Sequence, residues 1–365
     1  MRPLTPDEIA QRDAFVERLL KSSAGVFDIF SIYLGEKLAL YDALARGGLM
    51  TSSELAQRTA TYERYIREWL EQQTVTGILT VENASFPALE RRYALPAGHA
   101  EVLTDTESLN YLAPLAQLLA GATRPLDALV HAYQHGGGAP YSAYGEDLVE
   151  GQATMNRAMF LQLLPREWLP ALPDVHARLQ ADPPARVADI GCGAGWSSIG
   201  MAQGYAKISV DGYDLDTVSI ERAHAHAQEV GVGDRVTFRV HDASDPALAG
   251  QYDLVTAFEC VHDMSRPVEA LAAMRRLAGD RGAVLIVDER VGETFTAAGS
   301  GVEWMMYGWS ILHCLPVGMT GESPVGTGTV MRPATLRRYA QEAGFQGMEI
   351  LPIEHDFFCF YRLIL

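Results

Sequence analysis

Two stretches decide the fold, Arg186-Val-Ala-Asp-Ile-Gly-Cys-Gly-Ala-Gly195 and Val210-Asp-Gly-Tyr-Asp214. In the first, a short apolar run ends in three alternating glycines, and in the second an apolar run ends in a carboxylate. This order predicts a buried strand, a glycine-rich turn, a helix and a second strand. Parallel strands bind their ligands at their carboxyl ends, where this turn and this acid fall. The two stretches therefore predict an adenosine-type cofactor site.

The glycine spacing indicates which cofactor the turn holds. Glycines stand at positions 191, 193 and 195, but position 196 is Trp, so the dinucleotide pattern G-x-G-x-x-G lacks its third glycine. A pyrophosphate would need the backbone to approach closely at the start of the helix. A cofactor without phosphates has no such need, and a nicotinamide enzyme is therefore disfavoured.

Asp189-x-Gly191-x-Gly193-x-Gly195, with Asp214 at the end of the next strand, resembles the first two motifs of class I S-adenosylmethionine-dependent methyltransferases. The resemblance implies that the turn passes under the methionine part of S-adenosylmethionine and that Asp214 binds the ribose hydroxyls. Glycines leave room for the ligand, and one carboxylate can accept from two vicinal hydroxyls. The alternative is a similar turn in an unrelated doubly wound domain.

Further residues complete the predicted cofactor site. After the third strand comes Val240-His-Asp-Ala243, where the resemblance implies that Asp242 accepts from the adenine amino group. Burying that amine without a partner would be costly. The alternative is that Asp242 is a helix N-cap. The residues expected to contact the cofactor are Asp189, Gly191, Gly193, Gly195, Asp214, Leu215, Asp242, Ala243 and Glu259.

The composition predicts a soluble globular protein of more than one domain. The chain has 365 residues, of which 48% are hydrophobic, and its formal net charge is −17. Phosphate neutralisation drives nucleic-acid binding, so this charge argues against a nucleic-acid partner. No apolar run has membrane-spanning length, no secretory signal is evident, and the four cysteines show no paired spacing. We expect a cytoplasmic protein with reduced thiols and no membrane partner.

The chain divides into three predicted segments. Residues 1–110 form a mostly helical winged-helix domain, residues 111–182 a helical linker that covers the substrate, and residues 183–365 the S-adenosylmethionine-binding catalytic domain. In the first segment, residues 7–21 and 24–46 carry apolar positions at helical spacing. In the third, five strand patterns alternate with helices, and the tail adds two strands that can pair antiparallel. The predicted fold is an α/β protein with a Rossmann-like seven-stranded methyltransferase sheet.

A winged helix follows from the pattern after residue 50. Thr51-Ser-Ser-Glu54 fits a capping box, a second helix runs from Tyr62 to Gln73, and residues 77–81 and 91–95 predict two strands. The second helix mixes three Glu with two Arg, which argues against DNA binding. Many small-molecule methyltransferases use a similar module for dimerisation. We therefore expect a homodimer whose contact is supplied by the apolar residues within 7–46.

The stretch Ala257-Phe-Glu-Cys-Val-His-Asp263 ends the fourth predicted strand of the catalytic domain. It resembles the His-Asp step of small-molecule O-methyltransferases, where the histidine takes the proton from the attacking oxygen. Histidine suits this role because its ordinary pKa lies near working pH. The alternative is a structural histidine. The residues expected to be catalytic are His262, Asp263 and His313.

Aromatic residues and methionines crowd the segment 303–316, in which His313 is an ionisable group among apolar neighbours. Such a run lines an apolar pocket or packs in the core, and both interpretations stay open. Upstream, His135-Gly-Gly-Gly138 forms either a loop over the substrate or an ordinary linker. A hydrolase is disfavoured because the chain has no G-x-S-x-G elbow. The residues expected to contact the substrate are Tyr144, Met155, Arg157, Trp304, Tyr307 and Trp309.

A metal site is the prediction that follows if His262 and His313 face each other. Two histidines with open positions suit Fe, Zn or a similar divalent or trivalent transition metal that chelates substrate oxygens. This arrangement resembles the 2-oxo-acid C-methyltransferases, in which the metal stabilises an enolate and makes the neighbouring carbon acidic. Asp263 would add a ligand or orient the site. The alternative for His313 is a core histidine or one that contacts the substrate.

The sequence therefore predicts an S-adenosylmethionine-dependent methyltransferase that acts on a small organic molecule in secondary metabolism. The preferred hypothesis is metal-assisted C-methylation of a 2-oxo acid, with His262 and His313 as ligands. The second is O-methylation of a phenol or enol, with His262 as general base. The third is a winged-helix, ligand-sensing regulator that has kept the fold without catalysis.

Overall fold

The computed structural model describes residues 2–297 and 299–365. None of the described helices is long and apolar enough to cross a membrane. The chain forms two compact units. The first extends to Ala120 and includes Glu150–Met155, and the second comprises Gly121–Val149 and Asn156–Leu365.

The first unit contains the predicted helix–turn–helix and its two-stranded wing. Thr51 and Glu54 form the expected capping box, because each side chain accepts from the other's backbone N–H. In the wing, Thr80 pairs with Ala94 in antiparallel register. The elements are α1 (Pro6–Lys37), α2 (Leu40–Gly47), α3 (Ser52–Arg58), α4 (Glu63–Val75), β1 (Thr80–Val81), β2 (Tyr93–Ala94), α5 (Ala97–Thr104) and α6 (Pro114–Ala122), which ends in the second unit.

Helix α1 is one continuous helix where the apolar pattern predicts two. It runs through Ser22-Ser23, and the Ser23 hydroxyl donates to the Leu19 carbonyl at 2.9 Å. This local bond satisfies the hydroxyl inside the helix, so the serines do not end it. The break lies instead at Ala39, whose φ of 52° is left-handed. The predicted interruption between residues 21 and 24 was wrong.

The second unit is built on a seven-stranded sheet with strand order β5-β4-β3-β6-β7-β9-β8. Strands β3 to β7 run parallel, whereas β9 pairs antiparallel with both β7 and β8. The predicted sheet and its antiparallel tail are confirmed. The elements are α7 (Leu126–His135), α8 (Gly145–Leu163), α9 (Pro173–Gln180), β3 (Arg186–Ile190), α10 (Trp196–Gly204), β4 (Ser209–Asp214), α11 (Thr217–Val230), β5 (Val236–Val240), β6 (Leu254–Phe258), α12 (Pro267–Ala278), β7 (Ala283–Glu289), α13 (Gly301–Trp309), α14 (Leu315–Gly318), α15 (Pro333–Glu342), β8 (Gly347–Ile350) and β9 (Phe358–Ile364).

Parallel register brings the ends of the central strands together. Ile190, the last residue of β3, lies opposite Tyr213 of β4 and Ala257 of β6. Phe258 of β6 in turn lies opposite Val287 of β7. The residues at and just after the ends of these four strands therefore gather along one edge of the sheet, where open α/β sheets bind their ligands.

Helix α10, which follows the glycine turn, packs closely on the chain at Phe160. A Cβ built on Gly200 would lie 2.1 Å from the Phe160 carbonyl oxygen, and that oxygen belongs to backbone that cannot easily move. The absence of a side chain at Gly200 therefore permits the contact that holds α10 against α8. By contrast, a Cβ on Gly308 in α13 would meet nothing within 4 Å.

We predict that Gly200→Ala destabilises the second unit by about 1–3 kcal/mol, because the new methyl group overpacks the contact with Phe160. Gly308→Ala is the matched control, and it should leave stability unchanged or raise it by up to about 1 kcal/mol, since alanine favours an open helical position. Urea unfolding followed by tryptophan fluorescence measures both. Equal midpoints for the two variants would contradict the assigned packing.

Candidate active site

The turn between β3 and α10 depends on its glycines. Gly191, Gly193 and Gly195 all have positive φ, at 67°, 49° and 85°, a region that residues with side chains rarely adopt. A Cβ on Gly191 would also lie 2.6 Å from the Cys260 sulfur. The Gly191 amide donates to the Tyr213 carbonyl at 2.8 Å. The turn is thus tied to the end of β4.

Asp189 supports this turn from inside the protein. Its side chain is 0% exposed and accepts hydrogen bonds from the hydroxyls of Ser197 and Ser198, both at 2.6 Å, and of Thr256, at 2.8 Å. Burial raises the pKa of Asp189, and the three hydroxyl bonds oppose that rise. The sequence predicts a cofactor contact here, but the buried carboxylate is engaged in joining β3 to α10 and β6.

Asp214 ends β4 with both carboxylate oxygens held by backbone. Oδ2 accepts from the Gly193 amide at 2.8 Å, and Oδ1 accepts from the Asp216 amide at 2.9 Å. Burial raises the pKa of this carboxyl, and the amide bonds counter the rise. Leu215, the next residue, is exposed. The glycine turn and the second-strand acid therefore meet at the sheet edge, as expected from the sequence.

Asp242 stabilises a turn, and no helix begins there. Its Oδ1 accepts from the amide and the hydroxyl of Ser244, at 2.8 and 2.6 Å, and its Oδ2 accepts from Arg266 at 2.7 Å. The alternative interpretation as a helix N-cap is thus wrong, because residues 241–250 contain no helix and the aspartate bonds its own loop instead. Ala243 lies within this turn, which follows β5.

His262 lies in a short 3-10 turn, Val261–Asp263, just after β6. Its ring is 2% exposed, and Nδ1 lies 2.7 Å from Asp288 Oδ1 and 3.0 Å from Glu289 Oε2. The carboxylate that pairs with His262 is therefore Asp288 and not the adjacent Asp263. Asp288 and Glu289 were missed from the sequence, although two acids ending an apolar strand at the ligand edge are a usable signal.

The charges around His262 control its protonation. Burial alone would lower the pKa of His262, but the carboxylates of Glu289 and Asp288 outweigh burial and hold that pKa well above 6.5. Burial raises the pKa of Glu289, whereas the ionic and hydrogen-bonded contact with His262 leaves the pKa of Asp288 below its ordinary value. Asp288 is thus the permanent anion of the group, and it fixes the proton on Nδ1 when the ring is neutral.

Two further acids lie near His262. Burial raises the pKa of Asp263 to about 7 and the pKa of Glu259 to about 7, and the charge of His262 lowers both. Glu259 has a φ of 52°, and its Oε1 accepts from Asn156 at 3.1 Å. Residues other than glycine adopt this left-handed conformation only occasionally. Asn156, which the sequence did not reveal, thus orients the predicted cofactor residue Glu259.

His313 is buried in a π-helical segment, Ser310–Cys314. Pro316 has no N–H for the Leu312 carbonyl four residues before it, and that carbonyl accepts instead from the Tyr144 hydroxyl at 2.9 Å. The Tyr144 ring packs edge-on against His313, with 4.6 Å between ring centroids. Tyr144 is fully buried, so its contacts are internal and it supports His313.

The other predicted substrate residues differ in position. On α13 and the turn after it, the buried residues are Glu303, Met306, Ser310, His313 and Cys314, at helical spacing. Trp304 is one position away from this face and is 72% exposed, so it does not pack in the core, and its contact with the substrate stays a prediction. Tyr307 is also exposed and Trp309 is half-buried. Arg157 stacks on Trp196, 5.0 Å from the ring, and Met155 belongs to the first unit.

One group of side chains could hold a cation. Single ligand atoms of His262, Asp288 and Glu289 lie within 4.8 Å of one another, and Asp288 Oδ2 has no hydrogen-bond partner among the described residues. One imidazole nitrogen and two carboxylate oxygens are ligand types that transition metals accept. The group differs from the predicted pair, because it takes its carboxylates from the end of β7 and does not include His313.

The sheet order, the glycine turn and the buried histidine at one edge define a cofactor-dependent transferase fold. Residues 187–282 match the family model described as a methyltransferase domain, and residues 29–105 match an Rv2258c-like winged HTH domain. Ubiquinone biosynthesis O-methyltransferase of Burkholderia pseudomallei is 32% identical over 183 residues, which cover 50% of this chain and 72% of that protein. The enzyme of the same name from Pseudomonas aeruginosa is 30% identical, with 47% and 68% covered.

Solved structures agree over almost the whole length. Human N-acetylserotonin methyltransferase in complex with S-adenosylmethionine has a TM-score of 0.69 at 15% identity, covering 96% of this chain and 97% of that one. An O-methyltransferase family protein from Burkholderia thailandensis has a TM-score of 0.65 at 15% identity, with 99% and 98% covered. The chain belongs to the S-adenosylmethionine-dependent methyltransferases. It is thus an enzyme rather than a regulator without catalysis.

We predict that Asp189→Ala destabilises the second unit by about 3 kcal/mol or more, because the buried hydroxyls of Ser197 and Ser198 lose their acceptor and Thr256 loses the shorter of its two hydrogen bonds. The control is Glu342→Ala, which removes an exposed ion pair with Arg338 and should produce no measurable change. The shift in the urea midpoint measures both effects. A midpoint for Asp189→Ala equal to that of the control would contradict the supporting role of this carboxylate.

Proposed function

We propose that this methyltransferase methylates a hydroxyl oxygen of a small organic acceptor, with His262 as the general base. The observation that carries the proposal is the 2.7 Å contact between His262 Nδ1 and Asp288 Oδ1. Because Asp288 holds the proton on Nδ1, the other ring nitrogen, Nε2, is the one that accepts. An imidazole oriented in this way suits proton removal from an acceptor hydroxyl.

The proposed reaction has one proton transfer and one methyl transfer. The acceptor O–H gives its proton to His262 Nε2, and an oxygen lone pair forms the new O–C bond to the methyl group. The C–S bond breaks, and its electron pair neutralises the sulfonium, so that S-adenosylhomocysteine is released. The imidazolium that forms is stabilised by the carboxylate of Asp288.

The cofactor contacts in this proposal lie along the sheet edge. Asp214 binds the ribose hydroxyls through the acceptor capacity that its two amide bonds leave over. The glycine turn passes under the methionine portion, and Asp242 accepts from the adenine amine. Asp189 acts indirectly, because its buried carboxylate keeps the turn in shape. The O-methyltransferase names of the relatives support oxygen as the acceptor atom.

Metal-assisted C-methylation of a 2-oxo acid is the second candidate. The observation in its favour is the group of His262, Asp288 and Glu289, which could hold Fe or Zn. A bound metal would polarise the keto oxygen and make the neighbouring carbon acidic. Against it, Nδ1 of His262 lies at hydrogen-bond distance from Asp288, so that nitrogen holds a proton rather than a free lone pair.

We also propose that the enzyme is a homodimer in which α1 contacts a second copy of the chain. Gly35 is the one buried residue of this 32-residue helix. Large apolar side chains along it are exposed, among them Phe15, Leu19, Leu20, Phe27 and Leu34. An apolar surface of this extent in a protein of net charge −17 is typical of a subunit interface.

We predict that His262→Ala lowers methyl transfer to the best acceptor of a phenol and enol panel by roughly 10²- to 10⁴-fold. The rate of the wild-type enzyme should rise with pH through an inflection above 6.5, because the base works in its neutral form and its pKa is raised. Asp288→Asn removes one of the two carboxylate charges that raise this pKa, and Glu289 keeps the other. The inflection should therefore move to lower pH, and the plateau should fall because the amide donates a hydrogen bond and favours the wrong tautomer.

The controls for this prediction separate the two candidate reactions. His131→Ala changes an exposed histidine and should leave the profile unchanged. The wild-type enzyme is assayed again after chelation and metal analysis. Full activity in a metal-free protein supports the general base, whereas activity lost on chelation and restored by Fe or Zn supports the metal. An unshifted inflection in Asp288→Asn would contradict the role of the pair.

We predict that the double substitution Leu20→Glu with Phe27→Glu converts a dimer into a monomer, because it buries two charges in the apolar contact. Arg18→Glu is the matched control, since it changes the net charge by the same two units at an exposed position of α1. Sedimentation velocity measures the mass. A monomeric wild-type protein, or a double variant that stays dimeric, would refute the assignment.

A further inference from the structure

His313 has a buried nitrogen with no partner. The residue is 5% exposed, and its Nε2 makes no hydrogen bond with any residue that the structure describes. The other nitrogen, Nδ1, lies 3.4 Å from the Cys314 sulfur. Leaving a buried polar atom unpaired costs about 1–3 kcal/mol. Buried polar atoms are nearly always paired, so an unpaired one needs an explanation, and a ligand that supplies the missing partner is one.

The surroundings of His313 keep its ring in place. Tyr144 packs edge-on at 4.6 Å between centroids, and Tyr141 packs edge-on at 5.7 Å. Tyr141 is partly buried and lies within electrostatic range of Asp214, at the end of β4, and of Asp263, in the turn that holds His262. The ring of His313 is thus packed against two tyrosines, one of which also neighbours the acids at the sheet edge.

The protonation of His313 follows from its neighbours. Burial, with the nearby charge of His262, lowers the pKa of His313 to about 3, so the ring is neutral at physiological pH. The unpaired Nε2 therefore belongs to an uncharged ring.

The Cys314 side chain neighbours both histidines. Its sulfur lies 3.4 Å from His313 Nδ1, and its interaction with His262 lowers the pKa of the thiol. The charge of His262 also lowers the pKa of His313, so the two imidazoles are neighbours. One is the proposed base, and the other is a neutral ring with an unpaired Nε2.

We propose that His313 Nε2 holds a second oxygen of the acceptor, on the carbon next to the hydroxyl that His262 deprotonates. The inference rests on the proposed O-methylation and names its substrate class. The acceptor is a compound with two oxygens on adjacent carbons, such as an ortho-dihydroxy arene or an α-hydroxy ketone in its enol form. His313 is a specificity residue, because it contacts the substrate without taking part in the transfer.

The selectivity that follows is large, because an acceptor without the second oxygen leaves His313 unpaired in the complex. We expect the enzyme with bound S-adenosylhomocysteine to bind 3,4-dihydroxybenzoate roughly 10- to 100-fold more tightly than 4-hydroxybenzoate. The comparison with 3,5-dihydroxybenzoate tests adjacency, since its two hydroxyls are not on neighbouring carbons. Calorimetric titration measures all three, so the result does not depend on turnover.

Three substitutions test the nitrogen itself. His313→Leu keeps the volume and removes both nitrogens, so the preference for the 3,4-diol should fall to about 1- to 2-fold. Glutamine can place its amide where Nε2 stands, whereas asparagine reaches only the position of Nδ1. His313→Gln should therefore retain the preference and His313→Asn should lose it, while melting temperatures report any structural damage.

Each outcome decides between the proposals. Equal binding of the three acids to the wild-type enzyme, or an unchanged preference in His313→Leu, overturns the role of His313. A preference that disappears on chelation assigns the second oxygen to a metal and also overturns it. Preferential diol binding without methyl transfer leaves the role of His313 standing and refutes O-methylation. Equal methylation of mono- and dihydroxy acceptors supports O-methylation and refutes the role of His313.

Discussion

The active site depends on one constraint, namely that the carboxyl ends of β3, β4, β6 and β7 lie at the same edge of the sheet. Parallel pairing aligns the last residues of these strands, so groups far apart in the chain become neighbours. The glycine turn and His262 follow β3 and β6, Asp214 and Asp288 lie at the ends of β4 and β7, and all four are at this edge. No single segment holds the site, and the register of the sheet sets its geometry.

The acids at this edge match a positive charge that changes place during the proposed reaction. S-adenosylmethionine brings a sulfonium, and transfer of the methyl group discharges it while a proton moves to His262. The positive charge thus passes from the cofactor to the imidazole. Asp288, with its pKa held low by His262, remains an anion throughout and stabilises the final state. Glu259 and Asp263, whose pKa values burial raises to about 7, reduce the cost of a crowded anionic group by taking up protons.

The sequence predicts where the glycine turn and Asp214 lie in the sheet, because the signals for both are local. Three glycines and the carboxylate of Asp214 each follow an apolar strand, and periodicity is enough to find them. The partner of His262 could not be found in this way. Asp263 is its neighbour in the chain, but Asp288 becomes its neighbour only because β6 pairs with β7. Trp304 shows a second limit of prediction from sequence. The aromatic composition of its segment does not tell which rings are buried, and only the position of Trp304 relative to the buried face of α13 shows that its ring is exposed.

The proposed acceptor side of the site differs from the cofactor side, because its geometry depends on a local irregularity in a helix. Pro316 leaves the Leu312 carbonyl without its helical donor, and Tyr144 supplies one, which anchors the ring beside His313. His313 and Pro316 lie in the segment between β7 and β8, Tyr144 lies just before α8, and none of the three belongs to a strand of the sheet. In the proposed reaction the acceptor contacts both His262 at the sheet edge and His313 in this segment. Substitutions at His313 are therefore expected to change which acceptor is bound while the glycine turn and Asp214 stay unchanged.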